Sequence, residues 1–326
     1  MPQRAKQSNC LCAGAQDIPR TVSAQRALGP VDALEGDLET LALLGTQLGD
    51  ALITTRNGAA LITGKGGYAP YQPTSAPLRL SRSRVNLRIA PDARIQLYCA
   101  REKAGVSSLI VATSAGEILH RMVTRGGFDE LVVSALDTCQ NPSLSQTETP
   151  SSQAANIISL AAIRSARATW QQCDTGEHLN DMMADRGVSR AQSLPHMGQR
   201  NAWQVVVETM PSFMTYLIDK RIGHARLVLG TGLIQGDLVR GGTASLAGAI
   251  LLIESGVQRF ALDLDQIAAA WVTRLGVLSQ LELYDEMGQA IAVIAADPMS
   301  NFTEWNTLLA SLPTVSFGLG RTHGTR

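Results

Sequence analysis

The sequence predicts an α+β fold: tandem duplicated lobes of mostly antiparallel β-sheet with flanking helices. Three observations predict it. The chain carries nearly the same pattern twice, 172 positions apart, so that Ser107 falls on Ser279, Leu109 on Leu281, Val111 on Leu283 and Gly116 on Gly288. Both stretches alternate apolar and polar residues, break at a glycine and resume apolar, which is how a β-hairpin reads. Each copy then closes with a helical pattern, at 128–136 and 302–312. A repeat of this length is a duplicated domain rather than a solenoid unit.

The elements follow in order. Residues 1–30 read as a loose leader with one helical turn near Ala24. The first repeat, 31–142, opens with helical spacing of Leu38, Leu41, Leu44 and Leu48 over 34–48. Strand-like segments follow at 51–55, 59–63, 78–80, 85–89, 95–99, 108–112 and 118–123, divided by turn residues. Residues 143–200 form a linker, Pro-, Ser- and Thr-rich at 141–153, with a helix at 154–171. The second repeat, 201–315, starts with a short helix through Leu217. Strands are expected at 227–234, 246–253, 260–264, 269–274, 281–284 and 291–295, and a tail closes the chain at 316–326.

Composition narrows the function. A chain of 326 residues with 45% hydrophobic residues has enough apolar side chains for two ordinary cores. Its 28 basic residues balance 28 acidic ones, so no global field draws nucleic acid or an anionic membrane. The longest apolar run, 244–253, is too short to span a bilayer, and no secretion signal follows the first methionine; a cytoplasmic location is expected. The five scattered cysteines (10, 12, 99, 139 and 173) fit no disulfide framework.

Local motifs name no chemistry. The run Gly64-Lys65-Gly66-Gly67 lacks the spacing and the following Ser or Thr of a phosphate loop, and Gly230 to Gly236 lacks dinucleotide spacing. Asn301-Phe302-Thr303 matches a glycosylation acceptor that a cytoplasmic protein would not use. The histidines (120, 178, 196, 224 and 323) show no helical metal-pair spacing, and no nucleophile elbow exists.

The duplicated pattern does resemble a family. Leu48-Gly49, Thr55-Arg56-Asn57, Gly66-x-Tyr68, Val85-Asn86-Leu87-Arg88 and the hairpin of 108–123 carry it in the first repeat. Gly230-x-Gly232-x-x-Gln235, Ile267 through Arg274 (with Trp271-Val272-Thr273 inside), Ser279-x-Leu281-Glu282-Leu283-Tyr284-Asp285-x-x-Gly288 and Trp305 carry it in the second. On these residues the chain resembles the HemS-type haem-utilisation, or haemin-degrading, proteins over about 34–136 and 203–312. The resemblance implies a cytoplasmic protein of iron acquisition that binds one haem between two sheets, with a haem-uptake or reductase partner. It also implies an axial histidine at a helix start in the second repeat. That position here is Pro211, in Thr209-Met210-Pro211-Ser212-Phe213, and proline offers iron no lone pair.

Other departures agree with that loss. The lysine that follows the Trp-Val-x-Arg strand is Leu275. The tyrosine and arginine of the last hairpin are Ala295 and Pro298, and the first repeat's histidine is Ile62. The helix after Phe213 is shortened between Leu217 and Leu227. Arg88 is kept, where the resemblance implies a guanidinium on the distal side of the haem. The candidate cofactor-binding residues are therefore Arg88, His196, His224 and Arg274, with His196 and His224 the candidate iron ligands. Binding or trafficking of haem, or of a related tetrapyrrole, is expected ahead of ring opening, which requires a closely held iron; whether the chain is an enzyme stays open. The alternative is a module that keeps the fold and holds a different ligand or a protein partner.

Overall fold

The computed structural model describes residues 19–34, 41, 45–49, 51–70, 80–81, 83–89, 95–102, 106–124, 159–172, 189–230 and 232–315. The first repeat contributes strands β1 (Val31–Leu34), β2 (Leu52–Arg56), β3 (Ala60–Lys65), β4 (Asn86–Ile89), β5 (Ile95–Glu102), β6 (Val106–Thr113) and β7 (Ile118–Thr124). The second contributes β8 (Ala202–Val205), β9 (His224–Gly230), β10 (Leu233–Val239), β11 (Thr243–Ala247), β12 (Ile250–Ser255), β13 (Gln258–Asp263), β14 (Ala269–Leu275), β15 (Leu278–Tyr284) and β16 (Ala290–Ala296). Helices α1 (Val22–Arg26), α2 (Leu160–Gln172), α3 (Arg190–Ser193), α4 (Met210–Asp219) and α5 (Phe302–Ala310) flank them.

The strand pairings are antiparallel within two sheets. Sheet 1 runs β1-β5-β6-β7-β2-β3-β13-β12-β11, and sheet 2 runs β8-β14-β15-β16-β9-β10-β4. Placed side by side, β1, β5, β6, β7, β2 and β3 match β8, β14, β15, β16, β9 and β10 one for one. The same offset of 172 that aligns Ser107 with Ser279 relates most of these pairs. Gly116 and Gly288, at the equivalent hairpin turns, both have positive φ (80° and 72°), which side chains with a Cβ rarely adopt.

After the sixth position the repeats trade strands. β13 of the second repeat pairs with β3 of the first, through Ala261↔Leu61 and Arg259↔Thr63. β4 of the first pairs with β10 of the second, through Arg88↔Ile234 and Asn86↔Gly236. β4 and β13 are themselves equivalent by the repeat, so the exchange is reciprocal. Each sheet is therefore built from both halves of the chain.

The principal core lies between the sheets. Ile62, Ile253 and Phe260 from sheet 1 meet Val228, Leu281 and Ile294 from sheet 2, closed by Phe213 and Met214 of α4 and Trp305 of α5. In α4 the buried residues 210, 213, 214, 217 and 218 fall on one face at helical spacing, and Pro211 sits in the first turn, where a missing N–H costs nothing. The helix stops at Asp219, Arg221 takes φ +54°, and β9 begins at His224. The link is thus four residues long. On the outer faces, α1 covers Tyr98 and Ile110 of sheet 1, and α2 and α3 cover Trp271 and Tyr284 of sheet 2.

Several expected boundaries are corrected. The expected strand at 227–234 is two strands, because Gly232 (φ 70°) turns the chain inside it. The expected strand at 246–253 is likewise split at Gly248 (φ 60°) into β11 and β12. Residues 31–34, read as leading into a helix, form β1, and 45–47 are helical. Leu80 is not in a strand. The expected helix at 128–136, residues 78–79, four of the five cysteines, His178 and His323 lie outside the described residues.

Candidate functional site

Where β2 of sheet 1 passes β9 and β10 of sheet 2, the seam is polar and buried. Thr55 lies 2.6 Å from His120 Nδ1 and its hydroxyl donates to Gln235 Oε1 at 2.6 Å. The Tyr68 hydroxyl bonds His120 Nε2. The threonine has one proton, and it goes to Gln235. His120 must then donate from Nδ1 and accept at Nε2, which makes it a neutral imidazole. Burial agrees: it lowers the His120 pKa to about 3 and raises that of Tyr68. Beside this chain, Asn57 donates to the carbonyls of Leu229 (2.8 Å) and Ile291 (2.7 Å) and accepts from the amides of Ala59 and Ala60. These bonds lock the two sheets together and leave no lone pair on His120 for a ligand.

A second buried polar cluster underlies the outer face of sheet 2. Arg190 of α3 forks onto Glu282 of β15, with Nε at 2.7 Å, and stacks 5.4 Å over the Trp170 ring. Thr273, Gln280 (2.8 Å) and Tyr284 (2.5 Å) also donate to this carboxylate. Desolvation would raise its pKa, but Arg190, with the hydrogen bonds from Gln280 and Thr273, holds it below its usual range.

The four candidate cofactor residues do not converge. Arg88 is buried on β4, at one edge of sheet 2, and Arg274 is on β14, five strand spacings away, roughly 24 Å at ~4.8 Å per strand. His224 begins β9, two strands over from Arg88 and five residues along from its register, roughly 19 Å away. His196 is half-buried in a one-turn 3₁₀ helix of 194–196, and its carbonyl accepts from Arg167 Nε at 2.6 Å.

His224 has the more ligand-like surroundings. Its Nδ1–H donates to the Ile222 carbonyl at 2.9 Å, which fixes the ring and leaves the lone pair on Nε2. That Nε2 is buried and has no partner, and burial lowers the ring's pKa to about 4. At this end of the sheet the half-exposed Arg240 pairs with Asp297 at 3.7 Å, and Arg221 lies in the α4–β9 link with its side chain next to Gly241. A neutral imidazole with one nitrogen anchored to a carbonyl is a donor that suits iron; His224 is itself wholly buried and lines neither the Trp203–Arg274 cleft nor the one over β2, β3, β12 and β13, so what fits is the donor atom. Pro211 offers no donor at the start of α4.

Arg274 belongs to a different cleft, of about 800 Å³, which wraps around the β8 edge of sheet 2. Trp203 and Trp271 line it on opposite faces of the sheet, as their register through Val272 and Gln204 requires. Arg274 lies 5.8 Å over the Trp203 ring and donates to Ser279 Oγ at 3.2 Å. Arg200 and Pro195 complete the rim, which brings the His196 turn to the same neighbourhood. The sequence names Arg274, and Trp271 within the same motif, but supplies no signal for Arg200 or for Trp203, which belong to no recognisable motif.

No family model matches the sequence, and no curated protein matches it. Solved structures do match. Apo-PhuS, a heme-binding protein from Pseudomonas aeruginosa, superposes with a TM-score of 0.76 at 17% identity, over 90% of each chain. ChuS, an E. coli heme oxygenase, does so at 0.73 and 16% identity, over 94% of this chain and 96% of its own. Another ChuS structure, of the heme degrading enzyme from Escherichia coli O157:H7, gives 0.75 and 16% identity, over 89% of each. The chain has the fold of these proteins. Among the described residues, no helix is long and apolar enough to cross a membrane.

Proposed function

We propose that the chain is a divergent member of the haem-utilisation family that binds haem, or a related tetrapyrrole, through His224. The observation that carries this reading is the buried, unpartnered Nε2 of a neutral imidazole whose Nδ1–H is anchored to the Ile222 carbonyl. A shared fold with proteins whose names record haem binding and haem degradation supports it. Bound iron would supply a Lewis-acidic centre for that nitrogen. This chain's own contribution is to hold the ring in one tautomer, keep it uncharged, and place Arg240 and Arg221 where carboxylates could meet them. Binding and trafficking in iron acquisition, in the cytoplasm, fit better than ring opening. Arg88, roughly 19 Å from His224, is too remote to act on a molecule bound at that iron.

The test is a haemin titration followed by absorbance. The wild-type chain gives a saturable, shifted Soret band. His224→Ala abolishes the shift, and His196→Ala leaves it. A spectrum identical to free haemin, or one that survives His224→Ala unchanged, overturns the assignment.

A second reading is favoured by one observation, the cleft of Trp203, Trp271, Arg200 and Arg274. The Trp203 indole with the Arg200 and Arg274 guanidiniums suits a planar carboxylate held by stacking and ion pairing with no iron bond. Equal affinity for haemin and metal-free protoporphyrin, lost in Trp203→Ala, would select it.

A further inference from the structure

Sheet 1 runs two strands further than sheet 2. Beyond the traded strand β13 it continues through β12 to β11, whereas sheet 2 stops at the traded strand β4. The added hairpin turns through Gly248 at φ 60°, and its strands pair without a bulge from Thr243↔Glu254 to Ala247↔Ile250. Gly242 precedes it at φ 137°, and a Cβ there would stand 2.1 Å from the Glu254 carbonyl oxygen. Any larger residue would push β11 away from β12. The hairpin is thus firmly placed, and β11 is the last strand of its sheet.

The edge it presents is open. The two-residue loop makes Ala247 and Ile250 the hydrogen-bonded closing pair of the hairpin. Alternation then turns the backbone groups of Thr243, Ser245 and Ala247 toward β12 and those of Ala244 and Leu246 outward. Among the described residues, no loop or side-chain group bonds Ala244 or Leu246. Sheets usually guard such an edge with a charge, a proline or a bulge; Thr243-Ala-Ser-Leu-Ala247 has none. By contrast β8, the edge of sheet 2, is covered by the chain at 313–315. There Val206 donates to the Pro313 carbonyl at 2.9 Å and Val315 to the Gln204 carbonyl at 3.0 Å. Among the described residues β11 has no such cover, and Leu246 is 54% exposed.

An antiparallel copy of β11 completes this edge. Setting Ser245 opposite the partner's Ser245 places Ala244 opposite the partner's Leu246. The outward amides and carbonyls of both copies then meet in four hydrogen bonds. On one face the exposed Leu246 packs over the partner's Ala244, and on the other Thr243 meets the partner's Ala247. No charge enters the contact, so none is buried unpaired. The match reads the same from both sides, as a two-fold dimer requires.

We propose that β11 is a dimer interface, through which two copies of this chain pair edge to edge and join their nine-stranded sheets. The interface is independent of the haem reading. It is small, so the dimer forms and parts reversibly. The experiment is analytical ultracentrifugation of the full chain over about 1–200 µM, a range that spans weak protein contacts. The expected result is a concentration-dependent monomer–dimer equilibrium. Leu246→Pro removes one outward N–H and leaves every bond to β12 in place, and Ser245→Lys sets two like charges opposite each other. Each weakens dimerisation at least tenfold. Circular dichroism confirms folding, and either variant suffices if the other misfolds. Residues directly opposite at a non-hydrogen-bonded position lie roughly 4.5 Å apart, within disulfide reach. Under mild oxidant Ser245→Cys therefore gives a disulfide-linked dimer above the wild-type background, and Thr243→Cys does not. A monomer throughout the range, a dimer that a folded variant keeps at full strength, or equal cross-linking through both cysteine variants overturns the proposal.

Discussion

The hydroxyl of Thr55 and the side-chain carbonyl of Gln235, 180 positions apart in the chain, meet at 2.6 Å on the line where the two sheets touch. One proton order runs through the whole group: Tyr68 to His120, His120 to Thr55, Thr55 to Gln235. Every member is buried, so each bond is made in a medium where an unmade one is expensive.

Thr55→Val keeps the shape and removes the hydroxyl, leaving His120 Nδ1–H and Gln235 without their partner. The expected loss is about 2–4 kcal/mol, two buried groups at ~1–2 kcal/mol each, read as a fall in the urea midpoint with an unchanged slope. No change in midpoint would mean that water replaces the hydroxyl.

His120 also makes stability depend on pH. Burial lowers its folded pKa to about 3, against 6.5 for an imidazole in water. The unfolded chain therefore takes up a proton that the folded chain refuses. The contribution is complete above pH 6.5 and is lost as pH falls toward 3, at about 1.4 kcal/mol per pH unit for this one proton. Urea titrations between pH 7 and pH 5 measure that slope, and His120→Gln reduces it by the same amount.

Glu282→Gln leaves Arg190 buried without a counter-charge. Removing one partner of a buried ion pair costs about 3–5 kcal/mol, and here three further donors lose a charged acceptor. Arg190→Met in the same background recovers part of the loss, because the orphaned cation goes with it. Calorimetry of both single variants and the double variant checks both statements; losses that simply add would show that the two residues act independently.

Pro211→His returns an imidazole to the start of α4. The first turn tolerates the change, since proline's advantage there is its preset φ and amounts to about 1 kcal/mol or less. In the His224→Ala background it is expected to restore a shifted Soret band with haemin. Failure to restore it, in a folded protein, would mean that the start of α4 does not face the tetrapyrrole.

The duplication was legible because hairpins carry local signals: alternation, then a glycine that must turn at positive φ, as Gly116 and Gly288 do. Strand partners were not legible. Nothing in the sequence around Asn86 or Arg259 says that each pairs with the other repeat, since register between distant segments depends on the completed fold. Gly232 and Gly248 turn the chain inside apolar runs, and a run uninterrupted in hydrophobicity reads as one strand. His224 was found as a histidine near the shortened helix. Its orphaned Nε2, and the company of Arg240, depend on contacts that spacing alone does not encode.

The traded strands bear on how this chain reaches its native state as it is made. When β4 leaves the ribosome, its partner β10 lies some 140 residues behind it, still unsynthesised. The first half must wait with β3 exposed along one side, a template for any other extended chain. Pairings that far apart in sequence are slow to form, so folding should be late and cooperative, completing both sheets together. Two polypeptides cut between 125 and 158 would each be incomplete alone, and they should assemble when made in the same cell.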